Sequence, residues 1–356
     1  MLFSYLFYFT VLFICIFVAY WADKCGSKKI LYLLISIFVF VTGFRNEEVG
    51  IDTPNYIELW DGIMSDDLIF VELGFQWLML ILQKISLNPV ILFFTCSLII
   101  YFFIIIRLWE FRKIASFPMM ILVLYTFSLM PSMNVMRQYC AIAIIFYFTR
   151  YFFKKQYFKY FVGIIIATLL HTSALSAISL WGFELFWWNT LTRTKKFFFI
   201  CAIVFFPLII LQLYTLMSSE YGQYFEDEKQ SLGLLTLLKF AFILLSFYCS
   251  KLWSKHVDIA NCGISEYSYV IKFIFLTYLF GVTLESLTYF FPFMGRIGLP
   301  FSIFGVIYIG ILFKMTKNTF LKGCYFIAFL ILYGMPFLIS MIANGYGTMP
   351  YSFCWQ

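Results

Sequence analysis

Three arginines stand where arginine is costly. Arg45 closes an apolar run, Arg137 follows Pro131 in PSMNVMRQY, and Arg296 lies between Pro292 and Pro300 in FFPFMGRIGLP. A central arginine costs about 2.5–3.5 kcal/mol on membrane-insertion scales, so ionisable residues at such places default to functional candidates. Three guanidiniums at one membrane level suit a multiply charged ligand with planar oxygens, such as a pyrophosphate. The plainer alternative pairs each with a nearby acid, for example Arg45 with Glu47 or Asp52.

Around these arginines lie the other groups that could move protons. His171, in ATLLHTSAL, is one of only two histidines, and Thr168 and Thr172 share its helical face. It can serve as a base or as a donor to an anion; a packing histidine satisfied by a helix carbonyl is the competing reading. Asp52 and Glu72 are the carboxylates best placed to deprotonate a sugar hydroxyl. Asn134, Arg137 and Gln138 fall on one helical face at i, i+3, i+4. Lys239 and Glu285, the latter with Thr288 and Tyr289 on its face, are secondary polar points that could equally form an interhelical pair. No glycine-rich phosphate loop with a following lysine occurs, which argues against direct ATP use, and no GxSxG or HExxH is present. No His/Cys/Asp cluster has metal-ligand spacing, so neither metal nor cofactor is expected.

The elements that must position these groups are membrane helices. The chain is 63% hydrophobic and only 12% charged over 356 residues, against roughly a quarter charged in soluble domains. Apolar runs long enough to cross a hydrocarbon core of about 30 Å recur from end to end, and the alternation of a β-barrel is missing. The pattern predicts an all-α polytopic membrane protein, one integral membrane domain over 1–356. About twelve helices are expected, near 2–22, 30–44, 88–106, 118–133, 136–153, 158–171, 173–188, 197–217, 232–250, 270–290, 297–313 and 323–342. The first run lacks a basic leader and a small-residue cleavage site, so it reads as a retained helix. The nine cysteines form no CxxC pair and mostly sit inside apolar runs as small core residues.

Charge sets the expected orientation. Basic clusters occur at Lys24/Lys28/Lys29, Arg107/Arg112/Lys113, Arg150/Lys154/Lys155/Lys159, Arg193/Lys195/Lys196, Lys251/Lys255/Lys272 and Lys314/Lys317/Lys322. Twelve spans with the N-terminus outside place all six in the cytoplasm, so the net charge of +7 needs no nucleic-acid partner. This holds only if Val71–Gln83 does not cross. With Glu72, Gln76 and Gln83 on one face, the segment near 70–86 is predicted as a re-entrant or interfacial helix. Segment 45–86 is then an outer loop carrying that helix, and 218–231, with Glu220, Glu226, Asp227 and Glu228, is a second acidic outer loop.

Five short motifs now line up in order: R-x4-G-x-D-x3-Y (Arg45, Gly50, Asp52, Tyr56), E-x-G-F (Glu72 to Phe75), N-x2-R-Q (Asn134, Arg137, Gln138), H-T-S-A (His171 to Ala174) and G-R-x4-P (Gly295, Arg296, Pro300). Over roughly residues 30–310 the series resembles the EpsG-like branch of Wzy-type polysaccharide polymerases. The resemblance implies a bacterial inner-membrane O-antigen or exopolysaccharide polymerase with an architecture similar to the GT-C-like membrane glycosyltransferases. Such an enzyme moves a growing glycan from undecaprenyl diphosphate to the non-reducing end of another lipid-linked repeat unit, at the periplasmic face. It implies no metal or nucleotide sugar, and a chain-length regulator is a possible partner beside membrane lipid. By motif, Arg45, Asp52, Glu72, Arg137, His171 and Arg296 line the site. The arginines are then assigned to the diphosphate, with Arg45 assisting or ordering the acidic loop, and Asp52, Glu72 and His171 are unranked candidates for the base.

Two rival classes are weighed against this. A lipid-linked oligosaccharide flippase should spread basic residues through mid-membrane and show a two-lobed repeat, and neither is visible. Another membrane glycosyltransferase, an acyltransferase or an O-antigen ligase is the second; a ligase calls for a large late outer loop, and the late loop here spans only about 290–297.

Overall fold

The computed structural model describes residues 1–64, 71–182, 233–249, 265–289 and 294–356. Among these the backbone is helical, with one isolated bridge between Arg45 and Phe353 and no named strand. Among the described residues six helices are long and apolar enough to cross a membrane: Leu2–Cys25, Val90–Lys113, Phe117–Asn134, Tyr269–Ser286, Met294–Met315 and Thr319–Ile342. Shorter apolar helices occur at Leu73–Gln83, Tyr157–Leu170 and Leu235–Cys249. The chain is a multi-pass helical membrane protein. Helix α1 (Leu2–Cys25) shows why lipid must be the solvent, since it buries Tyr8, Cys15, Ala19 and Ala22 while exposing Phe3, Leu6, Phe13 and Phe17.

Packing divides the chain into two compact units. The first comprises Met1–Tyr147, Leu169–His171 and Ile309–Gln356. In it α1, α2 (Lys28–Gly43), α5 (Val90–Glu110) and α6 (Phe117–Asn134) pack together. Phe38 lies between the rings of Tyr101 and Tyr125, at 4.7 and 5.9 Å between centroids. Buried tyrosines need partners for their hydroxyls. Tyr125 donates to the Tyr8 carbonyl at 2.7 Å, and Tyr101 pairs with Ser132 at 2.8 Å. Pro131, lacking an N–H, lies inside the last turns of α6, and the chain breaks at Val135 before α7 (Met136–Phe153) begins. That break leaves carbonyls without helical donors beside the polar residues of NVMRQ.

The stretch expected as an acidic loop contains a helix, α3 (Thr53–Met64). Thr53, Tyr56 and Trp60 form its buried stripe. Thr53 donates to the Val49 carbonyl at 2.7 Å and the Trp60 indole to Leu87 at 3.1 Å. The T-P start and the i, i+3, i+7 spacing were the signals; the surrounding carboxylates masked them. Helix α4 (Leu73–Gln83) has 11 residues, about 16 Å of rise, roughly half a hydrocarbon core. It therefore cannot cross alone, and it presents Leu73, Trp77 and Ile81 outward while burying Phe75, Met79 and Leu82.

The second unit comprises Phe148–Thr168 and Thr172–Tyr308. Most of α8 (Tyr157–Leu170) lies here. The helix expected over 173–188 differs: Thr172–Ser179 is a 3-10 helix. Ser176 closes a local side-chain bond, 2.7 Å to the Ser173 carbonyl, of the kind that competes with α geometry. Helices α9 (Leu234–Cys249), α10 (Ser265–Ser286) and α11 (Met294–Ser302) follow. Phe280 and Phe301 meet edge to face at 5.0 Å across α10 and α11. The chain re-enters the first unit with α12 (Phe304–Met315), α13 (Thr319–Phe329) and α14 (Met335–Ile342), the last two joined by a π turn at Leu330–Gly334. The expected span at 197–217, the acidic segment 218–231, Asp66, Asp67 and His256 lie outside the described residues.

Candidate active site

Arg45 is completely buried, and its donors are spent on the protein. Nε donates to the Val49 carbonyl at 3.1 Å, Nη1 to Thr42 at 2.5 Å and Nη2 to Met133 at 2.8 Å. The guanidinium lies 4.4 Å over the Phe93 ring. It pairs with carbonyls rather than with Glu47 or Asp52, because the end of α2, the following turn and the break after Pro131 all present acceptors there. So placed, Arg45 ties the loop to α6 and has no face left for a ligand.

The reactive cluster forms instead around Glu72. Its Oε2 lies 2.8 Å from Nη1 of Arg137, and its Oε1 lies 2.8 Å from Nδ1 of His171. The histidine contact has ion-pair distance without the angle of a hydrogen bond. Such contacts are often misaligned before substrate binds. The Glu72 side chain is 13% exposed, His171 11% and Arg137 24%, so Arg137 is the member most open to a ligand. Burial opposes ionisation of Glu72, but contact with His171 and the charges of His171 and Arg137 outweigh it, holding the carboxyl down at about 2.

Three segments far apart in sequence converge here for identifiable reasons. Glu72 is the N-cap of α4. Gly74 then meets the backbone at Leu169, where an added Cβ would lie 2.6 Å from the carbonyl oxygen. That close approach sets Glu72 beside His171, two residues beyond Leu169. Phe75 completes the E-x-G-F motif by packing 5.8 Å from the Arg137 guanidinium and 6.2 Å from the Tyr56 ring.

Next to this cluster, Asn134 is buried and accepts the Asp52 N–H at 3.1 Å. Asp52 is half-buried, Tyr56 and Gln138 are buried, and the Asp52 carbonyl accepts from the Tyr56 N–H at 3.1 Å. An open cleft of about 810 Å³ lies along α3, lined by Glu47, Glu48, Pro54, Ile57, Glu58, Asp61 and Gly62. In the second unit, Arg296 is exposed near the start of α11, and Lys239 pairs with Glu285 at 3.3 Å. Among the described residues no three His, Cys, Asp or Glu side chains converge as a metal site.

The first unit thus unites Glu72, Arg137 and His171, with Asp52, Tyr56, Asn134 and Gln138 around the neighbouring turn. Sequence reasoning missed the groups that hold Arg45, because these are backbone carbonyls at Thr42, Val49 and Met133 with no side-chain signature. No curated protein and no solved structure gives a match. Residues 28–353 match the EpsG family, and all five motifs lie within that span. On a match over nearly its whole length, the chain belongs to the EpsG family.

Proposed function

We propose that this protein is a polysaccharide polymerase acting on lipid-linked repeat units. It transfers a growing glycan from undecaprenyl diphosphate to the non-reducing sugar of another unit, at the periplasmic face of the bacterial inner membrane. Family membership supports the coarser statement, a polymerase-like membrane protein of polysaccharide synthesis. The observation behind the chemistry is the carboxylate of Glu72 bridged between Arg137 and His171.

A carboxylate that accepts from the Arg137 guanidinium at 2.8 Å stays ionised at working pH and is a poor proton acceptor. Glu72 therefore orients. With Nδ1 2.8 Å from Glu72 and brought into line as a donor when substrate binds, His171 presents the lone pair of Nε2 to the acceptor hydroxyl. The acceptor oxygen attacks the anomeric carbon as its proton passes to Nε2, and the bond from that carbon to the diphosphate oxygen breaks. Negative charge grows on the leaving diphosphate, where Arg137 stabilises it more in the transition state than in the ground state. Asp52 sits on the turn beside this cluster as an acceptor-side contact, and the acidic cleft offers oxygens to glycan hydroxyls.

Deletion in the native host tests the class of activity. Loss of a polymerase leaves surface cores capped with single repeat units. Loss of all capping would favour a ligase, and accumulation of cytoplasm-facing lipid-linked units would favour a flippase.

A further inference from the structure

The last thirteen residues, Asn344–Gln356, run back over the polar loop that follows α2. Tyr351 N–H donates to Ser4 Oγ at 2.9 Å, and the Tyr8 hydroxyl donates to the Thr348 carbonyl at 3.1 Å. Tyr351 in turn donates to the Val41 carbonyl at 2.7 Å. The segment then joins the loop itself. Asn46 N–H donates to Ser352 at 2.9 Å, and Cys354 N–H to Phe44 at 2.9 Å. Gly50 N–H donates to Gly347 at 2.8 Å, and Ile51 N–H to Tyr346 at 3.2 Å. The Tyr346 carbonyl also accepts from Asn134 Nδ2 at 3.0 Å, and Asn134 is the residue that receives the Asp52 N–H. These groups all belong to the first unit. Asn344 folds the start of the segment by pairing with Met349 in both directions, at 2.6 and 2.9 Å.

We infer that the C-terminal segment is a positioning wall of the site, whose Tyr346 and Gly347 carbonyls set the Gly50–Asp52 turn and Asn134 for the acceptor side of the reaction. This rests on the function proposed above. The two carbonyls hold Gly50, Ile51 and Asn134, and through Asn134 the Asp52 N–H, so disturbing them impairs turnover more than capture of the lipid diphosphate. Gly347 is the sensitive point. Its φ is +61°, and an added Cβ would meet Ile51 N at 2.9 Å and the Gly50 carbonyl carbon at 3.3 Å. Left-handed backbone is disfavoured for a residue with a Cβ. Gly345, two residues away, is exposed and its added Cβ would meet nothing within 4 Å.

The experiment compares Gly347→Ala with Gly345→Ala in the full-length, detergent-solubilised and reconstituted protein. Three quantities are read: amide hydrogen exchange across 46–52, affinity for undecaprenyl diphosphate as the probe, and polymer formed per protein with the host's extracted lipid-linked repeat unit. In Gly347→Ala, exchange at Gly50 and Ile51 should rise at least tenfold and turnover fall at least tenfold, with probe affinity within about threefold and melting unchanged. Gly345→Ala should match the unmodified protein on all three. Unchanged exchange in Gly347→Ala would overturn the contact, and faster exchange with normal turnover would overturn the positioning role. A fall in activity no larger than the fall in folded protein would reduce the segment to a structural one. If Gly347→Ala does not accumulate, truncation after Tyr351 takes its place; it removes the Ser352 and Cys354 pairings, the Asn46 bond to Phe353 and the ring contacts of Phe353 and Trp355 with Phe7, Phe40 and Phe44, and should give a loss in the same direction. Should the unmodified protein make no polymer, the proposed function fails, while the exchange comparison still decides whether the segment orders the loop.

Discussion

Replacing Glu72 by Gln probes the bridge at its centre. A carboxylate can accept from Arg137 and His171 at once, as its two 2.8 Å contacts require. An amide has one oxygen and one NH2, so one of the two contacts becomes donor against donor. Leaving a buried donor unpaired costs about 1–3 kcal/mol. That corresponds to roughly a 10- to 100-fold loss of turnover. The assay is polymer formed per folded protein in reconstituted membranes, with Glu72→Asp beside it. Shortened by one methylene, Asp reaches one partner only and should fall between the two. Activity of Glu72→Gln within about threefold of the unmodified protein would refute the claim that the bridge organises the site.

Other expectations follow from particular contacts. Arg137→Lys keeps a cation but loses the planar fork, and should lower kcat about tenfold or more with a smaller change in KM, read from steady-state kinetics. Arg45→Ala orphans the Thr42 and Met133 carbonyls and removes one of two donors to Val49, and should lower the melting temperature and folded yield by an amount expected of a loss of about 3 kcal/mol; a folded variant with a specific turnover defect would contradict this. The stability that Glu72 adds is fully present above its ordinary pKa of 4.5 and is lost as pH falls from there toward about 2. The melting difference between the unmodified protein and Glu72→Gln should therefore close across that window. Arg296→Ala, assigned to the diphosphate on its sequence pattern, should cut polymer yield at least tenfold at equal protein level.

Much of this was legible in the residues, and the limits have physical causes. Membrane helices show in hydropathy because the solvent demands it, so α1, α5 and α6 fall close to their expected bounds. The helix break at NVMRQ shows in Pro131. Glu72, Arg137 and His171 were singled out one by one, since each is a costly residue in an apolar setting. That they share a site followed only from the motif resemblance, since their direct contact depends on Gly74 packing against the Leu169 backbone. For Arg45 the residue type allows two readings, help at the diphosphate or ordering of the acidic loop, and the three carbonyls on its donors fit the second. Carbonyls belong to every residue, so no sequence pattern marks which of them will be left unpaired at a helix end. The C-terminal segment escaped notice for the same reason, since Tyr346 and Gly347 act through their backbones.

The most direct measurement is polymerisation by the purified protein alone, in a lipid bilayer with the host's undecaprenyl-diphosphate-linked repeat unit and no nucleotide sugar. A ladder of lipid-linked products growing by whole repeat units, abolished in His171→Ala and strongly reduced in Arg137→Ala, is the predicted result. Unlengthened repeat units with folded protein present, or an unaltered ladder from His171→Ala, would contradict it.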